Sequence, residues 1–303
     1  MKCLVFGSLN IDKTYYLEHL AMPGETISAA KLKSSSGGKG FNQAVALCRA
    51  GRQVWMAGAV GMNGVSLLAE LEAYGIDYKF VQSFDTDTGH AIIQVDEKGQ
   101  NAIIVYSGAN RLITKERIKE VLYHFEPGDL LVAQNEISEV PFLLHEAHIR
   151  GMRVAFNPSP CDARIDECSF GDVDILLVNE TEGLYLTGEK EPDAILDKLK
   201  NGWPEMSVVL TLGGDGSVYM DKTGQRTRCG IYRVKPVDAT AAGDTFTGYF
   251  LDGWLEGKSP EVILRRAAIA SGIAVSREGA GESVPRSSEV DSVDGIAVLT
   301  SAE

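Results

Sequence analysis

The residues with most capacity for chemistry lie in Asp238-Ala239-Thr240-Ala241-Ala242-Gly243-Asp244-Thr245-Phe246-Thr247-Gly248. Small residues run up to the start of a predicted helix. Their backbone N–H groups can approach a ligand without interference from a Cβ. The first N–H groups of a helix have no partner within it and carry a partial positive charge. Together they form a cradle for an anion. Asp244 stands at its edge, and on this segment alone it reads more readily as a helix cap than as a proton acceptor. A second polar group, Asn179-Glu180-Thr181-Glu182, directly follows the apolar run 175–178. A third, Thr211-Leu212-Gly213-Gly214-Asp215-Gly216, is rich in glycine. It is not a dinucleotide fingerprint, because no G-x-G-x-x-G follows the first predicted strand. No G-x-x-x-x-G-K-[ST] occurs either, which removes the P-loop.

The elements that must position these groups alternate. Short apolar runs predict strands at 3–7, 54–60, 130–133, 153–156, 175–178 and 208–212. Helical patterns fall at 40–50, 66–74, 140–150, 244–256 and 260–277, the first two stopped by glycine. Strand and helix in repetition give an α/β fold, with a mainly parallel central sheet flanked by helices on both faces. One stretch departs from this pattern. Residues 88–95 and 101–106 are β-rich around Glu97-Lys98-Gly99-Gln100, a hairpin signal. With candidate strands at 14–18 and 27–34, it suggests a small β lid built from two insertions, about 9–36 and 87–107, within a single domain spanning 1–303.

Several stretches in order along the chain resemble the signatures of the ribokinase-like (PfkB) sugar kinases. They are Gly7-Ser8-Leu9-Asn10-Ile11-Asp12, Pro23-Gly24-Glu25-Thr26, Gly37-Gly38-Lys39-Gly40-Phe41-Asn42-Gln43-Ala44, Ser107-Gly108-Ala109-Asn110, Asn157-Pro158-Ser159-Pro160, the N-x-x-E of Asn179 and Glu182, and the two later segments above. The resemblance runs from about residue 3 to 285. It implies transfer of the γ-phosphoryl group of ATP to a primary sugar hydroxyl, with ribose as the sugar that fits best. Asp244 is then the general base, and Ala241, Ala242 and Gly243 offer N–H groups to the developing phosphoryl charge. Asn179 and Glu182 belong to the phosphate and magnesium side, Glu182 acting through water. Thr211, Gly213 and Gly216 line the nucleotide groove. Asn10, Asp12, Gly38, Lys39, Asn42 and Glu136 form the sugar wall, where a carboxylate accepts from two hydroxyls and an amide both donates and accepts. The family also uses a monovalent cation, here potassium. Asp238, the carbonyls of Thr240 and Arg277, Gly279 and Ser283 match that site. The family's lids pair into a homodimer, and unpaired strand edges in 88–106 make the same expectation here.

Two departures stand out. Ala239 occupies a position where relatives carry Thr, Ser, Pro or Val. His90 stands where ribokinases carry a small apolar residue, so it either narrows the sugar pocket or lies on the far face of its strand. Another pentose, a ketohexose or a nucleoside therefore remains open as substrate. A non-catalytic sensor would have lost the base or the cradle, and both are present.

The bulk properties agree. A net charge of −13 disfavours nucleic acid and anionic membranes as partners. The five cysteines include no C-x-x-C pair, as expected of reduced thiols in a cytoplasmic protein. His145 and His148, three apart on a predicted helix, lack a carboxylate–His metal motif and read as a solvated face.

Overall fold

The computed structural model describes residues 1–293, so positions 294–303 of the expected domain lie outside it. Strands run in the order β1 (Cys3–Phe6), β2 (Asn10–Tyr16), β3 (Lys31–Gly37), β4 (Val54–Val60), β5 (Asp77–Ser83), β6 (Gly89–Val95), β7 (Asn101–Tyr106), β8 (Leu130–Gln134), β9 (Arg153–Asn157), β10 (Ile175–Asn179), β11 (Ser207–Thr211), β12 (Ser217–Met220) and β13 (Arg226–Cys229). Helices are α1 (Lys39–Ala50), α2 (Val65–Tyr74), α3 (Lys115–Leu122), α4 (Val140–Ile149), α5 (Glu180–Thr187), α6 (Pro192–Gly202), α7 (Ala242–Leu255), α8 (Pro260–Val275) and α9 (Ser287–Asp291).

The main sheet has the order β13-β12-β11-β10-β9-β8-β1-β4-β5. It is parallel from β11 to β5, and β12 and β13 add on antiparallel. Runs such as Cys3-Leu4-Val5-Phe6 are buried throughout because helices cover both faces. Cys3 and Val5 face Phe41 of α1, Leu67 of α2 and Phe250 of α7. Leu4 and Phe6 face Ile118 of α3, Leu143 of α4 and Leu196 of α6. Phe41, Tyr249 and Phe250 are fully buried where α1 meets α7, each contributing on the order of 2 kcal/mol. The two helices approach closely because residue 248 is glycine. A Cβ there would stand 2.6 Å from the backbone of Ala46. That packing fixes the N-terminal turns of α1 and α7 beside one another at the C-terminal edge of the parallel strands, the edge where open α/β sheets bind ligands.

Across that edge stands a second sheet, ordered β3-β2-β6-β7. Strands 14–18 and 27–34 were expected; the pairing instead runs from Asn10 opposite Gly37 to Tyr16 opposite Lys31. Ser34-Ser35-Ser36-Gly37 looks like loop by composition, but a complete ladder against β2 makes it strand, since strand preference depends on the neighbour. Registers place Asp12, Ser35, Ala91 and Val105 in one cross-strand row and Ile11, Ser36, His90 and Tyr106 in the next. The first row faces the cleft. The second faces away, so His90 does not narrow the cleft; its ring packs 5.1 Å from that of Tyr106. The outer strand β7 is exposed along its whole length.

Candidate active site

Three adjoining cavities follow the edge of the main sheet. The first, of about 720 Å³, lies between the two sheets and is walled by Asn10, Asp12, Gly38, Lys39, Asn42, Glu136 and Asp244, among others. The second, of about 270 Å³, has Lys39, Asn179, Glu182, Ala241, Ala242, Gly243 and Asp244 in its wall. The third, of about 490 Å³, is lined by Thr211, Gly213, Gly216, Tyr232, Val234 and Pro236 among others. Asp244 and Lys39 border the first two, and Ala239 borders all three.

The first cavity is polar and acidic on its floor. Asn10 is buried, and its Oδ1 accepts from Asn110 Nδ2 at 2.8 Å. Asn110 in turn accepts from the Leu9 N–H at 3.1 Å, which fixes the turn after β1. Glu136, just past β8, accepts at Oε2 from the Ser8 hydroxyl and from the Lys39 N–H at 3.0 Å. Asp12 has room only because residue 37 is glycine, since a Cβ there would fall 2.0 Å from Asp12 Oδ2. Burial, then the neighbouring Glu136 and Asp244 carboxylates, push the Asp12 pKa up to about 7. Burial alone draws the Lys39 ammonium down, but Asp244, Glu136 and Glu182 together outweigh it and the net shift is upward. Asn42 donates from Nδ2 to Asp244 Oδ2 at 3.0 Å, and its buried Oδ1 has no partner among the described residues.

Helix α7 begins at Ala242, two residues before the expected start. Asp244 is therefore inside the first turn and does not cap it. The cap position belongs to Ala241, held at φ 59, and makes no side-chain capping bond. The Asp244 carboxylate instead accepts from Asn42 at Oδ2 and from Gln43 Nε2 at Oδ1, 2.9 Å away. The cradle also differs from expectation at one residue. The left-handed turn at Ala241 sends the Ala242 N–H to the Ala239 carbonyl at 3.2 Å, so it does not face an anion here. The N–H groups of Ala241 and Gly243 have no partner among the described residues, and nothing stands within 4 Å of where a Gly243 Cβ would be.

On the far side, Asn179 and Glu182 make a reciprocal capping box. Asn179 Oδ1 accepts from the Glu182 N–H, and Glu182 Oε2 from the Asn179 N–H, both at 2.9 Å. The box orients the nearly buried Glu182 carboxylate into the second cavity and leaves Oε1 uncommitted. Thr211 ends β11, and Gly213 and Gly216 shape the turn into β12. Asp238, Thr240 and Gly279 share one wall of the first cavity. Asp238 accepts from the N–H groups of Thr240 at 2.9 Å and Gly279 at 3.0 Å. Burial opposes its ionisation, but these donors and the nearby Lys33 ammonium hold its pKa below the ordinary value. The Arg277 guanidinium pairs with Glu289 at 2.5 Å, which leaves its backbone carbonyl, the expected ligand, unaffected, and the Ser283 hydroxyl donates to the Ala280 carbonyl at 2.7 Å. Among the residues expected to hold the cation, Asp238, Thr240 and Gly279 line the first cavity.

Gln43, Gln134, Asn157, Ser8 and Asn110 also bond into the site, although their residue types alone do not single them out. Four of the five lie in the quoted motifs, so only the missing knowledge of which way each side chain points concealed them.

Residues 1–287 match the model of the family described as pfkB family carbohydrate kinase. The chain is 34% identical over 310 residues to a ribokinase of Schizosaccharomyces pombe, covering 95% of this chain and 96% of that one. Its fold superposes on the crystal structure of a Thermotoga maritima ribokinase with a TM-score of 0.85 at 33% identity, over 96% of this chain and 98% of the other. An Arabidopsis thaliana ribokinase, solved complexed with ribose and ATP, matches with a TM-score of 0.84 at 30% identity, over 95% and 97% of the two chains.

Proposed function

The chain belongs to the pfkB family of carbohydrate kinases, and we propose that it transfers the γ-phosphoryl group of ATP to the primary hydroxyl of D-ribose, giving ribose 5-phosphate and ADP. The observation that carries this reading is the place of Asp244, at the junction of the acidic hydroxyl-binding cavity and the second cavity beneath the α7 cradle. Asp244 removes the proton of the attacking hydroxyl. The oxygen bonds to the γ-phosphorus as the bond to the β,γ-bridging oxygen breaks, and ADP leaves. The N–H groups of Ala241 and Gly243 and the Lys39 ammonium meet the charge on the phosphoryl oxygens. Asn10, Asp12, Asn42 and Glu136 take the sugar hydroxyls. Thr211, Gly213 and Gly216 receive the nucleotide. Glu182 would hold magnesium through water, and magnesium supplies charge neutralisation on the phosphates. Its free Oε1 suits that role.

The finer parts of the reading follow from the same surfaces. The Asp238 carboxylate, with Thr240 and Gly279, is the site for potassium. The four-stranded sheet serves as a lid whose closure excludes water. Its edge β7 carries exposed Ile103, Ile104, Val105 and Tyr106 beside unpaired strand N–H and C=O groups, and it pairs with a second copy. The described residues include no helix long and apolar enough to cross a membrane, and we place the protein in the cytoplasm. With His90 turned from the cleft, the feature that set this chain apart from a ribose kinase no longer bears on the sugar.

The test is coupled ADP release with magnesium-ATP across ribose, 2-deoxyribose, arabinose, fructose, tagatose and nucleosides, with and without potassium. Ribose should give the highest kcat/KM, stimulated by potassium. Preference for another acceptor overturns the substrate, and silence across the panel overturns the activity.

A further inference from the structure

Helix α1 carries two neighbouring amides, and they do different things. Asn42 borders the first cavity. Gln43 borders neither cavity that Asp244 touches and is 1% exposed. Its Nε2 donates to Asp244 Oδ1 at 2.9 Å and to Asn157 Oδ1 at 3.2 Å. Its Oε1 accepts from Gln134 Nε2 at 2.7 Å. Asn157 is itself oriented, because its Nδ2 donates to the Leu177 carbonyl at 2.8 Å. The ends of β8 and β9 therefore hold the Gln43 amide from behind. The chain of bonds has a direction. Turning the Gln43 amide over would set its carbonyl against both the Asp244 carboxylate and the Asn157 carbonyl, and its NH2 against that of Gln134.

We propose that Gln43 is a positioning residue for phosphoryl transfer: it ties up Asp244 Oδ1 and thereby presents Oδ2, the oxygen held by Asn42 on the cavity side, as the one that receives the hydroxyl proton. This rests on Asp244 being the base. Gln43 touches no substrate. It transmits the rigidity of the parallel sheet to a carboxylate on a helix, and small losses of such alignment cost up to about 100-fold in rate. The charged groups around Asp244 are Lys39 of α1, Asp12 of β2, Glu136 after β8 and Glu182 of α5. The Gln43→Met variant alters none of them. It keeps the length of the side chain and removes the donor.

For Gln43→Met we expect kcat to fall about 10- to 100-fold while KM for ribose and ATP stays within about threefold. Combined with Asp244→Asn, the substitution should slow single turnovers no further, because it acts through Asp244. An unchanged kcat, a KM that rises in step with the loss of kcat, or losses that multiply in the double variant would each overturn the proposal. Near-normal turnover by Asp244→Asn alone would instead remove the base assignment, which separates the two failures. Should Gln43→Met not fold, Asn157→Leu takes one support from the same amide; about a threefold to tenfold loss of kcat is expected, and an unaltered kcat refutes the proposal.

Discussion

Two carboxylates face the same cavity from opposite walls, one on helix α7 and one on strand β2, and the protein treats them in opposite ways. Asp244, on the main-sheet side, already has two buried amide donors, one on each oxygen. Asp12, on the small sheet, accepts no hydrogen bond among the described residues, and its burial beside Glu136 and Asp244 raises its pKa to about 7. The first arrangement is a carboxylate whose orientation is set before any substrate arrives, which is what a base needs. The second is a carboxylate whose partners are missing, which is what a binding group needs if sugar hydroxyls are to supply them. If Asp244 is the base and Asp12 a sugar ligand, the chemistry is anchored to the parallel core, while the small sheet adds a binding group to those of the core.

Removing the base should break this comparison most sharply. Asp244→Asn is expected to lower kcat by about 10³-fold or more, with ribose affinity within about threefold of the parent. Single-turnover kinetics and ribose titration by calorimetry give the two numbers. A kcat within about tenfold of the parent would mean that the preset orientation of Asp244 has no catalytic use.

Asp12 should give the complementary pattern. Asp12→Asn is expected to raise KM for ribose about 10- to 100-fold with KM for ATP and kcat nearly unchanged, since it loses a charged acceptor for sugar hydroxyls. In the parent, ribose affinity should improve as pH rises through about 7, where Asp12 ionises, and level off above. Stability should move the other way. A raised carboxyl pKa means the folded state binds the proton more tightly than the unfolded chain. That contribution is full below the ordinary value of 3.8 and lost as pH rises through about 7. At pH 8 without ligand, Asp12→Asn should therefore melt a few degrees higher than the parent. A lower melting temperature at pH 8, or flat ribose affinity between pH 6 and 8, would remove Asp12 from the binding role.

How much of this contrast is legible in the sequence differs between the two sides. The cradle, Asp244 and the sugar-wall residues are visible because small or polar residues follow apolar runs, and parallel strands bring all those ends to one edge. The two amides of Asn42 and Gln43 are not separable by sequence. They sit roughly 100° apart on one helix, and only the packing of α1 on α7 decides which meets the cavity. Asn179 and Glu182 show the reverse difficulty, because a spacing that reads as chemistry is also that of a capping box, and here the box is what aims the carboxylate. On the lid, Ser34-Ser35-Ser36 conceals a strand whose existence depends on β2. Helix α5 carries no apolar stripe to announce it: Glu182, Gly183 and Thr187 are its buried residues.

The lid's outer edge sharpens the contrast at the level of assembly. Ile104 lies on β7, on the face away from the cleft, and is 61% exposed. Ile104→Lys should convert a dimer to a monomer in sedimentation at micromolar concentration, through the cost of burying an unpaired ammonium. KM for ribose should then rise a fewfold and kcat change less, because the core carrying Asp244 is untouched. A dimer of unchanged affinity would show that β7 is not the contact.

The smallest effect belongs to His90, and its smallness is informative. In a strand, adjacent side chains point to opposite faces, so a slip of one residue would exchange His90 with Ala91 and put an imidazole over the sugar. In the observed register Ala91 shares its row with Asp12, while His90 shares its row with Ile11 and packs on Tyr106. His90→Ala should change KM for ribose by less than about twofold, and Ala91→Leu, which intrudes on the cavity, should raise it about tenfold or more. The reverse order of effects would mean that β6 is displaced by one residue, and with it the assignment of every side chain the lid offers to the sugar.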